Sequence, residues 1–465
     1  MTLVISPMLV RQYSTVIIVN LSVLTTGMSL GWSSPMVVKL SNSTTTPLSR
    51  VITDAEGSWI VSLGYLCSIF ILNALGSSSL DGIGRKYSVI ASAVPKLSMA
   101  VLLIFATEVW MVILARCVMT ITDSFLFCVV PAYAAEIASK SQRGSLGTFL
   151  QLFSSLGIVI TLSVGPFVSY HTYSYVFVAV IAAATLPLFF LPESPYFQYA
   201  KGKTNEAFRT LTRIRGSEAQ ATLELEEYEK SIESRIKVDK IVLLKDRIFL
   251  KSLVLSIMLY GGSQIVGYNA VTFYLQTILI STRTEVMPEI ASVIIGLIQV
   301  VASLSVTFLT AMFKRKQILV TSLLGMCLGM VGLGSFFQVC APDFDVHGFM
   351  NYLPIISLIV VVFSYSAGIG SLIWPICAEL FEGPGRAFGT SIGLAICQFT
   401  IFVTTKYFTS MTTALGPAST YWFFSIMCVI IGTLIAIFLP ETKDRTFREI
   451  QTALGKDDRD KIVLG

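Results

Sequence analysis

The sequence predicts an all-α membrane protein with twelve transmembrane helices in two six-helix bundles, joined by a cytoplasmic helical linker. Three observations predict this fold. Apolar residues make up 54% of the 465 residues and charged residues only 13%, whereas soluble domains carry about 25% charged residues. The apolar residues form runs that reach the length of about 20 residues needed to cross a bilayer. The charge pattern of the first half also recurs in the second half.

Twelve apolar runs are long enough to be spanning helices, and the most polar stretch of the chain separates the first six from the last six. We therefore predict an N-terminal bundle over residues 1–191, a linker over 192–248, a C-terminal bundle over 249–440 and a tail over 441–465. The predicted spans are 13–35, 57–79, 87–106, 109–134, 147–170, 174–191, 249–280, 288–312, 317–340, 352–382, 385–410 and 419–439.

The sequence offers little for catalysis or for metal binding. The eight cysteines form no CxxC pair, and the two histidines, His171 and His347, are far apart. Residues 202–204 read Gly-Lys-Thr, but Phe197 stands at the position where a phosphate-binding loop has its first glycine. Since no acid, base and nucleophile converge, we expect no enzyme activity. We also expect no cofactor, no metal, no nucleic-acid partner and no obligate protein partner.

Basic residues lie mainly in the loops on one side of the predicted membrane. They follow the second, fourth, sixth, eighth and tenth spans, while the opposite loops carry few unbalanced cations. The positive-inside bias therefore places both termini in the cytoplasm. The sequon at Asn42 falls in the first outward loop, which predicts a glycosylation site. We expect a plasma-membrane location, with a vesicular membrane as the alternative.

A charge pattern repeats in the two halves and indicates a duplicated six-helix unit. A basic pair follows the second span of each half, and an acidic helix end is followed seven residues later by an arginine. A Pro-Glu pair closes each half. In transporters with duplicated halves, substrate binds between the halves near the bilayer midplane. We predict cytoplasmic ion pairs that bias opening, with simple anchoring of helix ends as the alternative, among Arg85, Lys86, Glu136, Arg143, Glu193, Arg315, Lys316, Glu379, Arg386 and Glu441.

Ordered motifs run along almost the whole chain. They include Asp-Gly-Ile-Gly-Arg-Lys at 81–86, Arg-Gly at 143–144, Pro-Glu-Ser-Pro at 192–195 and Pro-Glu-Thr-Lys at 440–443. Together they resemble the sugar porter family of the major facilitator superfamily. Gly-Trp-Ser-Ser-Pro at 31–35 is similar to the arthropod facilitated trehalose transporters. The resemblance implies facilitative transport of a hexose or trehalose by alternating access between the two halves.

The resemblance also implies a substrate site and an outer gate. Side-chain amides suit a sugar because each offers a donor and an acceptor to neighbouring hydroxyls, and a tryptophan can cover the apolar face of the ring. Ser263 replaces a glutamine of the family motif, and Cys397-Gln398 replaces an Asn-Trp pair, which puts standard hexose selectivity in doubt. The implied substrate-binding residues are Gln151, Ser263, Gln264, Asn269, Gln299 and Trp374, and the implied gate residues are Phe273 and Tyr274.

Two charges fall inside spans that are usually uncharged in the family. Lys96 lies about 15 Å along the third span from its cytoplasmic end, and Asp123 lies about 20 Å before the end of the fourth span. Consecutive spans are antiparallel and an unpaired charge in the bilayer is costly, so we predict a buried ion pair. Structural compensation is one interpretation and proton coupling through Asp123 is the other.

Two alternatives to passive sugar transport follow from the residues. The first is a proton-coupled sugar symporter, which the absence of an acidic residue between Ser14 and Pro35 in the first span disfavours. The second is a sugar receptor that binds without transport. The altered site residues are compatible with a receptor, whereas the duplicated charge pattern favours a transporter.

Overall fold

The computed structural model describes residues 7–139, 142, 146–233, 243–340, 348–381, 385–443, 445 and 447–455. Side chains at 7, 72–81, 230–233, 387, 447, 448 and 451 are outside this description. Every regular element within the described ranges is helical, which confirms the all-α prediction. The chain divides into two compact units, Met1–Ile236 and Lys237–Gly465, and the division falls inside the predicted linker.

The first unit contains six long helices, and short caps and glycines set their ends. Thr53 begins α2 by accepting a hydrogen bond from the Glu56 amide. Gly84, at φ 100°, separates α2 from α3 in a conformation that favours glycine. The helices are α1 Pro7–Leu40, α2 Asp54–Ile83, α3 Arg85–Ile104, α4 Val109–Ile137, α5 Phe149–Val164 and α6 Tyr170–Thr185, followed by a 3-10 turn at Leu186–Phe190.

Three helices of the predicted linker pack against the first unit: α7 Pro195–Ala200, α8 Thr204–Arg215 and α9 Glu218–Glu233. Arg215 holds them there. Its Nη1 donates to the Ile137 carbonyl at 2.6 Å, which satisfies a backbone oxygen at the end of α4. Its Nε donates to Glu224 at 2.8 Å. These contacts make the linker helices part of the first unit.

The second unit contains long helices together with short ones of 6, 7 and 11 residues. Three begin with proline at the first or second helical position, where the missing amide costs no hydrogen bond. The helices are α10 Arg247–Ile265, α11 Tyr268–Phe273, α12 Leu275–Ser281, α13 Pro288–Met312, α14 Arg315–Val339, α15 Leu353–Ala367, α16 Ile369–Glu379, α17 Gly385–Leu415, α18 Pro417–Phe438 and α19 Phe447–Ala453, with a 3-10 turn at Gly348–Asn351.

Among the described residues, ten helical stretches are long and apolar enough to cross a membrane, and α5 is a shorter apolar helix. Two predicted spans are interrupted. The span 249–280 comprises α10, α11 and α12, with its first break at Gly267, whose φ is 88°. The span 352–382 comprises α15 and α16, with its break at Gly368. Hydropathy alone does not reveal such breaks, because the residues on both sides are apolar.

Candidate functional site

Two side-chain amides, one buried and one half-buried, form a cluster at the junction of α10 and α11. Gln264 Nε2 donates to Ser263 Oγ at 2.9 Å, and Asn269 Nδ2 donates to Gln264 Oε1 at 2.5 Å. Ser263 and Gln264 are buried, and Asn269 is half-buried. The left-handed turn at Gly267 carries the chain back so that Asn269 reaches Gln264. The structure thus brings together three residues that the sequence predicts for substrate binding.

Two pairs of aromatic rings in the second unit each include a tyrosine from the chain segment that carries the amides. The half-buried Trp374 of α16 meets the ring of Tyr260 edge-on, with centroids 5.5 Å apart. Tyr268 and Tyr365 stack almost in parallel, with centroids 3.6 Å apart. Sequence reasoning missed these three tyrosines. The signal for Tyr268 was its place inside the amide segment 263–269, whereas Tyr365 is far away in sequence.

The cluster has the chemistry of a site for a neutral polyhydroxyl ligand. Each amide can donate and accept, and one hydrogen bond joins the two amides in the present arrangement. Sugar hydroxyls can replace these internal bonds one for one, so that no buried polar group is left unpaired. The neighbouring rings offer apolar faces, which is typical of small-molecule sites.

Two other predicted substrate residues belong to other helices. Gln299 is buried in α13, where its backbone carbonyl accepts a hydrogen bond from Ser303 Oγ at 2.9 Å. Gln151 is half-buried in α5 of the first unit. Their part in substrate binding stays a prediction.

The predicted gate residues end α11. Phe273 and Tyr274 are both buried. The Tyr274 hydroxyl donates to the Thr405 carbonyl at 3.3 Å, and its ring stacks on Phe408 with centroids 5.2 Å apart. Tyr274 therefore connects the break between α11 and α12 to α17.

In the first unit, the predicted charges form a cluster at the start of α3. Arg85 Nη2 pairs with Glu136 Oε1 at 3.0 Å, and Ser194 Oγ donates to the other oxygen of Glu136. Glu193 Oε1 accepts from the backbone amides of Arg85 and Lys86, at 3.0 Å each. Glu193 thus satisfies the amino-terminal amides of α3, where the helix dipole favours a carboxylate.

The second unit repeats this arrangement with its own residues. Arg315 pairs with Glu379, and its Nη1 also donates to Thr442 Oγ1 at 3.2 Å. The carboxylate of Glu441 accepts from the amides of Arg315 and Lys316 at the start of α14, at 3.2 Å each. The sequence repeat therefore corresponds to a repeated geometry.

Four other predicted members of the charge set differ from simple side-chain ion pairs. Lys86 Nζ donates to the Phe189 carbonyl at 2.8 Å. The backbone amide of Lys316 contributes to the helix start. Arg386 is exposed at the beginning of α17. Arg143 lies outside the described residues. Among the described members of the predicted charge set, each unit therefore contributes one arginine–glutamate pair and one glutamate that caps the start of a helix.

Lys96 and Asp123 meet inside the first unit. Lys96 Nζ lies 2.6 Å from Asp123 Oδ1, and both side chains are buried. Lys96 Nζ also donates to Thr25 and Thr26 of α1, at 3.0 and 3.1 Å. Thr26 in turn donates to Asp123 at 3.0 Å. The network joins α1, α3 and α4, and sequence reasoning did not foresee its two threonines.

Asn42 lies in the loop after α1 and is exposed. Its Oδ1 accepts from the amide and the hydroxyl of Thr44, at 3.0 and 2.8 Å. The sequon is therefore at the surface of the first unit.

Comparison with known proteins gives one consistent result. The family described as "Sugar (and other) transporter" matches residues 16–454. Facilitated trehalose transporter Tret1 of Polypedilum vanderplanki is 27% identical over 449 residues, which cover 95% of this chain and 87% of that protein. Tret1 of Apis mellifera ligustica is 28% identical over 436 residues, covering 93% and 86%.

Solved structures show the same fold. The partially occluded, inward-open conformation of the xylose transporter XylE from E. coli matches with a TM-score of 0.78 and 20% sequence identity. The match covers 94% of this chain and all of that one. A structural match of this quality at 20% identity shows a shared fold.

Proposed function

We propose that this chain, which belongs to the sugar transporter family, carries a small neutral sugar across its membrane by facilitated diffusion. Family membership makes it a multi-pass membrane transporter. The observation that carries the proposal is the hydrogen-bonded amide pair of Gln264 and Asn269, on a segment that also carries the rings of Tyr260 and Tyr268. Such a cluster suits hydroxyl-rich solutes and offers no charge to a charged one.

Trehalose and the hexoses are the proposed substrates. Two relatives that align over more than nine-tenths of this chain are named facilitated trehalose transporters. Ser263 is shorter than the glutamine of the family motif, so it leaves more room beside Gln264. This feature favours a disaccharide over a single ring.

Passive transport is the proposed mode, with alternating access as its mechanism. Two features of α1 support it: α1 presents no carboxylate between Ser14 and Pro35, and its Thr25 contacts an ion pair that is already hydrogen-bonded. The two arginine–glutamate clusters would then tune the opening equilibrium. Partly buried pairs of this kind supply at most a few kcal/mol in total, and about 1.4 kcal/mol already changes a population tenfold.

Proton-coupled transport is the second candidate, because one observation favours it. Asp123 is a buried carboxylate that touches α1 and α3 through Thr26 and Lys96. A proton on Asp123 would weaken that connection. In this case uptake would follow the proton gradient.

The proposed topology has both termini in the cytoplasm, a plasma-membrane location and a glycan on Asn42 outside the cell. The exposure of Asn42 supports the last point. A loss of apparent mass after glycosidase treatment of the wild type, absent in Asn42→Gln, would test it.

The site is tested by reconstituting the full chain in liposomes and measuring the uptake of labelled glucose and trehalose. We predict that Gln264→Ala raises the KM for the transported sugar about tenfold or more, because it removes hydrogen bonds worth roughly 1.5 kcal/mol in total. Gln276→Ala is the matched control. Gln276 is a buried amide whose Oε1 accepts from Ser292 at 2.6 Å.

Saturable uptake with a raised KM in Gln264→Ala alone supports the proposed site. An equal effect of both substitutions would mean that losing any buried amide damages the unit. Sugar binding without flux would favour the receptor alternative.

A further inference from the structure

Arg116 is a buried guanidinium in α4 that is held by neutral groups. Its side chain is 3% exposed. Nη1 donates to Ser29 Oγ at 3.0 Å and Nη2 donates to Ser33 Oγ at 3.3 Å. Its Cζ lies 4.8 Å from the centroid of the Trp32 ring. Hydroxyls and a ring face solvate a cation but do not neutralise it, so the positive charge remains in a low-dielectric interior.

The nearby carboxylate is already paired with another cation. Asp123 follows Arg116 by two helical turns, which is about 10 Å of rise. The ammonium group of Lys96 places its three donors on Asp123, Thr25 and Thr26. Among the described residues, no carboxylate forms an ion pair with Arg116. Around α1, α3 and α4, the described side chains therefore include two buried cations, Lys96 and Arg116, and one buried carboxylate, Asp123.

Three donors in this neighbourhood have no hydrogen-bond partner among the described residues: Arg116 Nε, Trp32 Nε1 and Tyr170 Oη. Trp32 is 0% exposed and Tyr170 is 1% exposed. The Trp32 ring contacts both other side chains, because its centroid lies 4.8 Å from the Arg116 Cζ and 6.4 Å from the Tyr170 centroid. Side chains that carry a guanidinium, an indole N–H and a phenol O–H, from α4, α1 and α6, thus pack around the Trp32 ring.

We propose that these three donors bind one small monovalent anion inside the first unit. The anion would balance the charge of Arg116 and accept hydrogen bonds that buried donors otherwise lack, and hydrogen bonds to an ion are stronger than neutral ones. The ligand chemistry is a single negative charge with several acceptor directions. A free halide and the carboxylate of an acidic solute both provide it. The site goes beyond the transport of neutral sugars, and its occupancy does not depend on flux.

The test measures thermal unfolding of the purified full chain in detergent while chloride replaces methanesulfonate at constant ionic strength. We expect a saturable rise in the melting temperature. The double variant Trp32→Phe/Tyr170→Phe keeps both rings and removes both neutral donors, so it should raise the half-saturating chloride concentration about tenfold or more. Trp110→Phe is the matched control, because Trp110 lies on the same helix as Arg116 and is 62% exposed.

A second titration with glucuronate, compared with glucose, identifies the source of the anion. Stabilisation by chloride that is weakened in the double variant supports a free-ion site. Stabilisation by glucuronate but by neither glucose nor chloride, weakened in the same variant, supports a site for a solute carboxylate. If the double variant does not fold, each single variant should show a smaller shift in the same direction. The proposal is overturned if neither anion stabilises the wild type, or if the substitutions leave the stabilisation unchanged.

Discussion

At the scale of single residues, the cost of burying a charge explains why Lys96 and Asp123 touch. An isolated ion in the membrane interior is expensive, and the penalty falls only when a counter-ion and hydrogen bonds are supplied together. Lys96 receives both, since Asp123 provides the charge and two threonines of α1 accept its remaining donors. The pair and its two threonines thus connect three helices, α1, α3 and α4.

We predict that Lys96→Met alone destabilises the protein by ~3–5 kcal/mol, because it leaves Asp123 buried without its counter-ion. The double variant Lys96→Met/Asp123→Leu should recover most of this loss, since it removes both charges. Melting temperature and the yield of monodisperse protein in detergent measure the effect. Equal damage in the single and double variants would contradict the pairing account.

At the scale of helices, Gly267 and Gly368 lie at two breaks where the second unit departs from straight spans, and Gly267 is the one with a positive φ. Gly267 ends α10 in the left-handed region and directs α11 so that Asn269 meets Gln264. A β-carbon at Gly267 would lie 2.5 Å from the Phe424 ring. The amide cluster therefore depends on a backbone conformation and a close approach that only glycine permits.

Gly267→Ala should destabilise the second unit and abolish sugar binding. The left-handed conformation costs an L-residue about 1–2 kcal/mol, and the contact with Phe424 adds to it. Gly202→Ala is the control, because Gly202 has φ 76° but a β-carbon there meets nothing within 4 Å. Melting curves and binding of labelled sugar measure both variants. A loss in Gly202→Ala as large as that in Gly267→Ala would exclude the Phe424 contact as a cause.

The start of α2 provides a prediction about pH. Glu56 pairs with Arg50 at 2.5 Å and accepts from the Thr53 amide at 2.9 Å, in the loop and first turn before the predicted span. The hydrogen bond from Arg50, and then that from Thr53, hold the pKa of the Glu56 carboxyl at about 2, below its ordinary 4.5. A depressed pKa in the folded state means that the charged form is favoured by folding, so this stabilisation is complete above pH 4.5 and is lost as the pH falls toward 2.

Glu56→Gln should therefore flatten the acid limb of the stability profile. The melting temperature of the wild type should fall more steeply than that of the variant between pH 4.5 and 3. Between pH 6 and 8 Glu56 stays ionised, so it should cause little change there. Thermal unfolding of the detergent-solubilised chain across this range is the measurement. The same slope in both proteins would show that Glu56 does not contribute to it.

At the scale of the whole molecule, the sequence predicted the features that depend on composition, on ordered motifs and on the free-energy cost of burying a charge. The confirmed all-α fold followed from the length of apolar runs, and the family from ordered motifs such as residues 192–195 and 440–443. The pairing of Lys96 with Asp123 followed from helical rise, from the antiparallel direction of consecutive spans and from the cost of an unpaired buried charge. Each of these inferences uses a property that can be read from the sequence without knowing how the helices pack.

Packing determined the features that the sequence did not reveal. The stacking of Tyr268 on Tyr365 joins α11 to α15, and no periodicity relates the two positions. Glu193 was predicted as a charge partner, yet its carboxylate accepts from two backbone amides at the start of α3. The residue type shows that Glu193 carries a charge. Whether its carboxylate pairs with a side chain or with backbone amides depends on which helix end packs against it.

The two units contain equivalent glutamate caps and equivalent arginine–glutamate pairs. Glu193 and Glu441 begin α3 and α14 in the same way, and Arg85 and Arg315 pair with equivalent glutamates. A duplicated fold keeps such contacts where both halves must retain the same helix ends. This agrees with a carrier built from two like halves, as the family assignment implies.

The most direct test of the central claim is the time course of labelled glucose and trehalose uptake by liposomes containing the full chain, with and without a protonophore. Facilitated diffusion predicts saturable uptake that stops when the inner and outer concentrations are equal, with a rate that the protonophore does not change. Accumulation above the outer concentration that collapses with the protonophore, or binding of either sugar without flux, would contradict it.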